Sequence, residues 1–312
     1  MADVTKEYEF KRLGARLSNW GRWGEDDEIG TINFITPEVR VAAAALVKKG
    51  TVIDLGMPFD SSGPQSGGSR FNPIHTMSML PTDPLPYPDG IIAADDMVTM
   101  PLQCATQWDS LAHVGYDGLL YNNTPASAVN SQGANRNSVD KIVPRMVTRG
   151  VLLDVAGFKG KNRLDPSEEI TADDLDAVER HQGVKVRSGD VMMFRTGWYQ
   201  HYLEGNHELY LSLESSAGLG ISACEWLHDR EVAAVAGDVF AVEAFPGKEQ
   251  GTSLPLHMVL IRDVGLTLGE MFNLEGLAAD CNEDGVWEFL FSGVGIKISR
   301  SVGSPINPVA VK

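Results

Sequence analysis

The sequence predicts a single α/β domain of mixed sheets with helices on the outside, on three observations. Short apolar runs at residues 151–155, 191–195, 232–236 and 265–268 read as buried strands. Helix signals fall between them: Thr171 is placed to cap residues 172–181, Ser222 and Glu225 have capping-box spacing ahead of Trp226, and residues 256–262 read as a further helix. The chain of 312 residues, 43% hydrophobic and 22% charged, has no repeat, low-complexity tract or linker, so one folded unit over residues 1–312 is expected. Strand-like stretches also crowd the first third and return at 287–291 and 294–299, which predicts a sheet packed on a second sheet.

The remaining elements follow in order. Thr36-Pro37 is an N-cap followed by proline at the first helical position, opening an Ala-rich helix that runs to Lys49 and stops at Gly50. Residues 51–55 read as a strand, residues 60–72 as a Ser/Gly/Pro loop, and residues 81–89 as a Pro/Asp loop. Residues 97–102 read as a strand leading into Gln103 to His113. Side chains alternate between faces along a strand, so Gln103, Gln107, Asp109 and His113 share parity and are expected to face one cleft.

Composition narrows the function classes. With 26 Lys and Arg against 42 Asp and Glu, the net charge is −16, which repels phosphate backbones and anionic lipid, so no nucleic-acid or membrane partner is expected. Cys104, Cys224 and Cys281 lack metal-ligand spacing and read as reduced thiols. From the polar start of the chain and the absence of any run of about 18 apolar residues, a cytoplasmic location is expected. No Gly-x-Ser-x-Gly elbow, phosphate-binding Gly-x-x-x-x-Gly-Lys loop or Gly-x-Gly-x-x-Gly after a strand is present, which weakens serine-hydrolase, nucleotide and dinucleotide readings.

Two segments carry chemistry instead. Asp109 and His113 lie in the first; His257, on the expected helix, and Glu270, at the end of the strand that follows, lie in the second. Taken singly, Asp109 suits a turn and His257 a core position; together the two carboxylates and two imidazoles suit a divalent metal and an activated water. Cys104 points away from Gln103 by alternation and reads as a core thiol. His75, after the Gly-rich loop, is a minor candidate for the cleft, whereas His181, His201, His207 and His228 read as surface residues. Trp20, Trp23, Trp108, Tyr116 and Tyr121 lie near the motif segments and suit a flat small-molecule substrate, with Trp23 and Trp108 the candidates for contact. The acidic run at residues 25–28 reads as a solvated loop.

The spacing of Gln103, Thr106, Gln107, Asp109 and His113 resembles the His-x-Gly-Thr-His-x-Asp-x-Pro-x-His motif of the metal-dependent cyclase family, which includes bacterial kynurenine formamidases, isatin hydrolase and trans-dienelactone hydrolase. His257 and the segment Gly-Leu-Thr-Leu-Gly-Glu270 resemble its downstream His and Glu. The opening Ser18-Asn19-Trp20-Gly21-Arg22-Trp23-Gly24 and the closing Gly303-Ser304-Pro305-Ile306-Asn307-Pro308 resemble its longer branch. The resemblance implies a swivelling β/β/α fold, hydrolysis of a small amide or lactone, a homodimer or homotetramer, metal ligation by Asp109, His257 and Glu270, and a catalytic role for His113.

Departures from the motif shift the expected chemistry. Gln103 and Gln107 stand where the family has ligand histidines, Ala105 where it has Gly, and Leu111 where it has Pro. An amide offers a neutral oxygen where imidazole offers nitrogen, so a single manganese or magnesium ion is favoured over zinc, with Gln103 and Gln107 as weak ligands. Two alternatives follow from the lost histidines: a metal-free acid/base cyclase or lyase in the same pocket, and a catalytically silent small-molecule binding protein.

Overall fold

The structure is a computed structural model that describes residues 8–85, 87, 89–249 and 251–312. Residues 1–7, whose polarity entered the reading above, and Pro86 and Pro88 of the second expected loop lie outside the described residues.

Among the described residues, nine strands form one mixed sheet: β1 (Val52–Asp54), β2 (Gln107–Asp109), β3 (Val147–Asp154), β4 (Val191–Arg195), β5 (Ala234–Gly237), β6 (Thr267–Glu270), β7 (Glu288–Ser292), β8 (Gly303–Pro305) and β9 (Val309–Val311), in the spatial order β1-β9-β7-β3-β4-β5-β6-β2-β8. The centre, β3 to β6, is parallel, and antiparallel strands extend it on both sides. Parallel strands covered on both faces read as unbroken apolar runs, which is why these four were legible. Their side chains alternate between two cores: Val151, Leu153, Met192, Phe194 and Val235 on one face, and Leu152, Val191, Met193, Ala234 and Ala236 on the other.

The expected mixed α/β class is the one observed, but in place of a sheet packed on a second sheet the strands collect in one nine-stranded sheet with four two-stranded ladders beside it. Residues 294–299 form no strand; Gly295 makes one isolated bridge to Ile306, and the chain enters the sheet later, at β8 and β9. The strand expected at 97–102 is shifted to Asp95–Thr99, is exposed throughout, and pairs with Ile74–Met79 in a hairpin outside the main sheet.

Helices α1 (Glu9–Leu17), α2 (Pro37–Ala44), α3 (Ala172–Gln182), α4 (Ala223–Asp229) and α5 (Glu275–Asp284) lie around the sheet. Thr36 caps α2 through the Val39 N–H, although α2 ends before Lys49. Thr171 and Asp174 complete the capping box of α3, and Gly183 closes it in the left-handed conformation. The box expected at Ser222 does not form: Ser222 Oγ accepts from Ala172 N–H, and Glu225 pairs with Arg16. No helix of the described residues is long and apolar enough to cross a membrane.

Residues 256–262 do not continue as an α-helix. After Pro255–His257 the turn widens into a π-helix, Met258–Val264, which Gly265 ends at φ 72°. Its last carbonyls are satisfied from the N-terminal segment: Asn19 N–H donates to Asp263 O, Asn19 Nδ2 to Val264 O, and Trp20 Nε1 to Arg262 O. The opening motif therefore secures the segment that carries His257. Asp27, in the acidic run read as a solvated loop, is half-buried and accepts from Gly30 N–H, Asn33 Nδ2 and Tyr121 Oη.

Candidate functional site

Strand register assembles the first half of the site. Gln107 of β2 is directly opposite Glu270 of β6, and Asp109 is opposite Gly303 of β8, so their side chains leave the same face of the sheet. Gln107 Nε2 donates to Glu270 Oε2 at 2.8 Å and lies 3.5 Å from Asp109 Oδ1. Thr106 holds this edge in place, its Oγ1 donating to Met271 O and accepting from Met57 N–H.

Gln107 and Asp109 share a face through strand alternation, and β2, only three residues long, extends it to neither Gln103 nor His113. Gln103 precedes it in a turn, yet its amide reaches the same place: a Cβ on Gly303 would lie 2.3 Å from Gln103 Nε2. Gly303 thus leaves room for the Gln103 amide beside Asp109. His113 follows β2 in a turn closed by its own N–H to Ser110 O, with Nε2 3.8 Å from Asp109 Oδ1. Its side chain is 21% exposed, whereas Gln107 and Asp109 are buried.

The second half comes from His257. Its Nε2 is 3.2 Å from Glu270 Oε1, and its Nδ1 donates to Glu243 Oε1 at 2.6 Å. Glu243 also accepts from the backbone N–H groups of Leu256 and His257, fixing the turn as well as the ring. Sequence reasoning missed Glu243. Its signal was a lone acid within the apolar run Val239-Phe240-Ala241-Val242-Glu243-Ala244-Phe245.

The three expected ligand residues meet: one ligand atom from each of Asp109, His257 and Glu270 lies within 4.8 Å of the others, and all three residues are buried. Burial pushes Asp109 up to about 6; the Glu270 charge adds to this, and His113 and His257 oppose it. Burial would lower His257, but Glu243 and Glu270 outweigh that and raise it to about 10.

These residues fit a cation. Three buried carboxylates against one buried imidazole leave negative charge that a low-dielectric interior tolerates poorly. Asp109 Oδ2 and Gln107 Oε1 are buried without a hydrogen-bond partner, although both are acceptors. A carboxylate on the far nitrogen of a ligand imidazole, as Glu243 is on Nδ1, fixes the tautomer that leaves Nε2 free to ligate.

The other candidates lie apart from this cluster. Trp108 leaves the opposite face of β2, fully buried against Phe272 and Phe291, with Nε1 donating to Gly293 O. Trp23 packs edge-on against Phe34 beneath Arg22, and His75 is exposed on the hairpin, paired with Asp96. His201, read as a surface residue, is buried against Trp198 at 4.5 Å between ring centroids. Cys104 is a core thiol, pushed up to about 11 by burial.

A large mixed sheet carrying a buried Asp-His-Glu cluster near one edge defines an α/β protein with a candidate cation site. Residues 53–244 match the cyclase family model, described as "Putative cyclase". A crystal structure of "a novel cyclase" superposes with a TM-score of 0.88 at 38% identity, covering 96% of this chain and 99% of its own. The chain belongs to the cyclase family. Isatin hydrolase A from Ralstonia solanacearum has a TM-score of 0.62 at 21% identity, over 88% of this chain and 97% of its own. An isatin hydrolase bound to the product analogue thioisatinate has a TM-score of 0.61 at 19% identity, over 88% and 98%. At those identities the likeness is one of fold. A search of curated proteins found no match.

Proposed function

We propose that the chain is a metal-dependent hydrolase of a small amide or of a lactone or other cyclic carbonyl compound. The observation that carries this reading is the pair of unpartnered buried acceptors, Asp109 Oδ2 and Gln107 Oε1, beside the His257–Glu270 contact. Asp109, His257 and Glu270 would hold the ion, with Gln107 and Gln103 as weak oxygen donors, a set that suits manganese or magnesium better than zinc. Such an ion, when bound, polarises a carbonyl and acidifies water.

The chain's own residues supply the rest. With an ion bound, Glu243 would keep the proton on His257 Nδ1 and leave Nε2 as the ligating nitrogen. His113, at the solvent edge of the cluster, is positioned to take a proton from the attacking water and return it to the leaving nitrogen or oxygen at Nε2. The family fold of hydrolases such as isatin hydrolase supports this reaction class for the pocket, and a cytoplasmic homodimer or homotetramer acting on a small molecule completes the proposal.

One observation favours a second reading. His257 sits between two carboxylates, a geometry that also stabilises an imidazolium, as a metal-free acid/base cyclase or lyase would use. Elemental analysis of chelator-free protein, with hydrolysis assays on isatin, formanilide and dihydrocoumarin before and after manganese loading, separates the two. Stoichiometric metal and metal-dependent hydrolysis are expected; full turnover in chelated protein would overturn the first reading.

A further inference from the structure

Arg70 differs from the other arginines around the site in what surrounds it. Among the described residues its guanidinium makes no hydrogen bond or ion pair, in a chain where acids outnumber bases by 42 to 26. Its guanidinium carbon lies over the Phe240 ring, 5.6 Å from the centroid. Phe240 lies three residues before Glu243, the carboxylate bonded to His257, so this contact sets Arg70 on the side of the cluster.

The loop that presents Arg70 is held firmly. Asn72 Nδ2 donates to Gly63 O at 2.7 Å and to Gln65 O at 3.2 Å, and Asn72 Oδ1 accepts from Gln65 N–H. Gln65 Nε2 in turn donates to Cys104 O at 2.8 Å, tying the loop to the segment that leads into β2. Gly67 and Gly68, both at positive φ, turn the tip so that Arg70 bridges back to Gly67. Phe240 stands on the loop after β5, three residues before Glu243, so ring and guanidinium form one wall.

An anionic ligand approaching Asp109, Glu243 and Glu270 is repelled unless a cation meets it. A guanidinium resting on an aromatic face keeps its edge donors free for a bidentate carboxylate contact, while the ring offers a flat apolar surface. We propose that Arg70, on the Phe240 ring, is the binding residue for a carboxylate carried by a planar substrate of this site. The assignment rests on the hydrolase reading for the fate of that substrate and stands apart from it for binding.

The test is calorimetric titration of benzoate and of benzamide into the full chain, chelator-treated so that no metal competes for the carboxylate, as wild type, Arg70→Gln and Arg70→Lys. Wild type should prefer benzoate by about tenfold or more, Arg70→Gln should bind the two equally, and Arg70→Lys should retain part of the preference. Equal binding by wild type, or an unchanged benzoate preference in Arg70→Gln, would overturn the assignment. Hydrolysis of 2-formamidobenzoate and formanilide by the manganese-loaded wild type is read separately. Its absence, with an Arg70-dependent benzoate preference intact, removes the hydrolase reading and leaves the carboxylate site standing.

Discussion

At Asp109, burial and function pull in opposite directions. A carboxylate with one oxygen unpartnered inside the protein is costly, and its raised pKa registers that cost. A bound cation removes it. Asp109→Ala and Glu270→Ala should therefore each lose metal and activity together, whereas His113→Ala should keep metal and lose about 10²- to 10⁴-fold in kcat; metal content and steady-state rates on the same samples check this. Gln107→His with Gln103→His should raise zinc affinity, read by competition with a chromophoric chelator, because both amides sit beside Asp109 on one face of the sheet. Asp109, His257 and Glu270 were legible from residue type and spacing. Glu243 and Arg70 were not, since one lies in an apolar run and the other in a loop, and only packing brings either to the pocket.

Elements show why some of the fold escaped the sequence. The parallel strands β3 to β6 announced themselves through apolar runs, but β8 and β9 are three residues each and interrupted by Pro305 or flanked by Pro308, so neither has a readable period. The π-helix carries ordinary helical composition, and the Asn19 and Trp20 donors that meet its last carbonyls come from a segment remote in sequence. Gly265 ends it in the left-handed region, where a Cβ would lie 2.3 Å from the Tyr121 ring. Gly265→Ala should cost about 2 kcal/mol or more, measured by thermal or denaturant unfolding. Ahead of α3, burial alone would raise Glu168, but Lys161, the Asp165 N–H and Lys159 hold it at about 2. Its stabilisation is present above the ordinary glutamate range and is lost as pH falls from about 4.5 towards 2. Glu168→Gln should flatten that acid limb of the stability curve by an amount on the order of 1 kcal/mol.

For the molecule as a whole, the hairpin of Ile74–Met79 and Asp95–Thr99 leaves Ile74, Met77, Met97 and Val98 exposed by 45% to 55%. A two-stranded hairpin is marginal in water without a partner surface. Sedimentation should accordingly show a dimer or tetramer, and Met97→Asp with Val98→Asp should shift it towards monomer. The architecture draws distant parts of the chain into one place: the Arg70 loop and β2 from the first 110 residues, His257 and β6 from the last third. Whether that convergence serves a metal is answered most directly by anomalous diffraction from a crystal grown with manganese. The account predicts one peak within bonding distance of Asp109, His257 Nε2 and Glu270; manganese bound elsewhere, with no peak among those three, would contradict it.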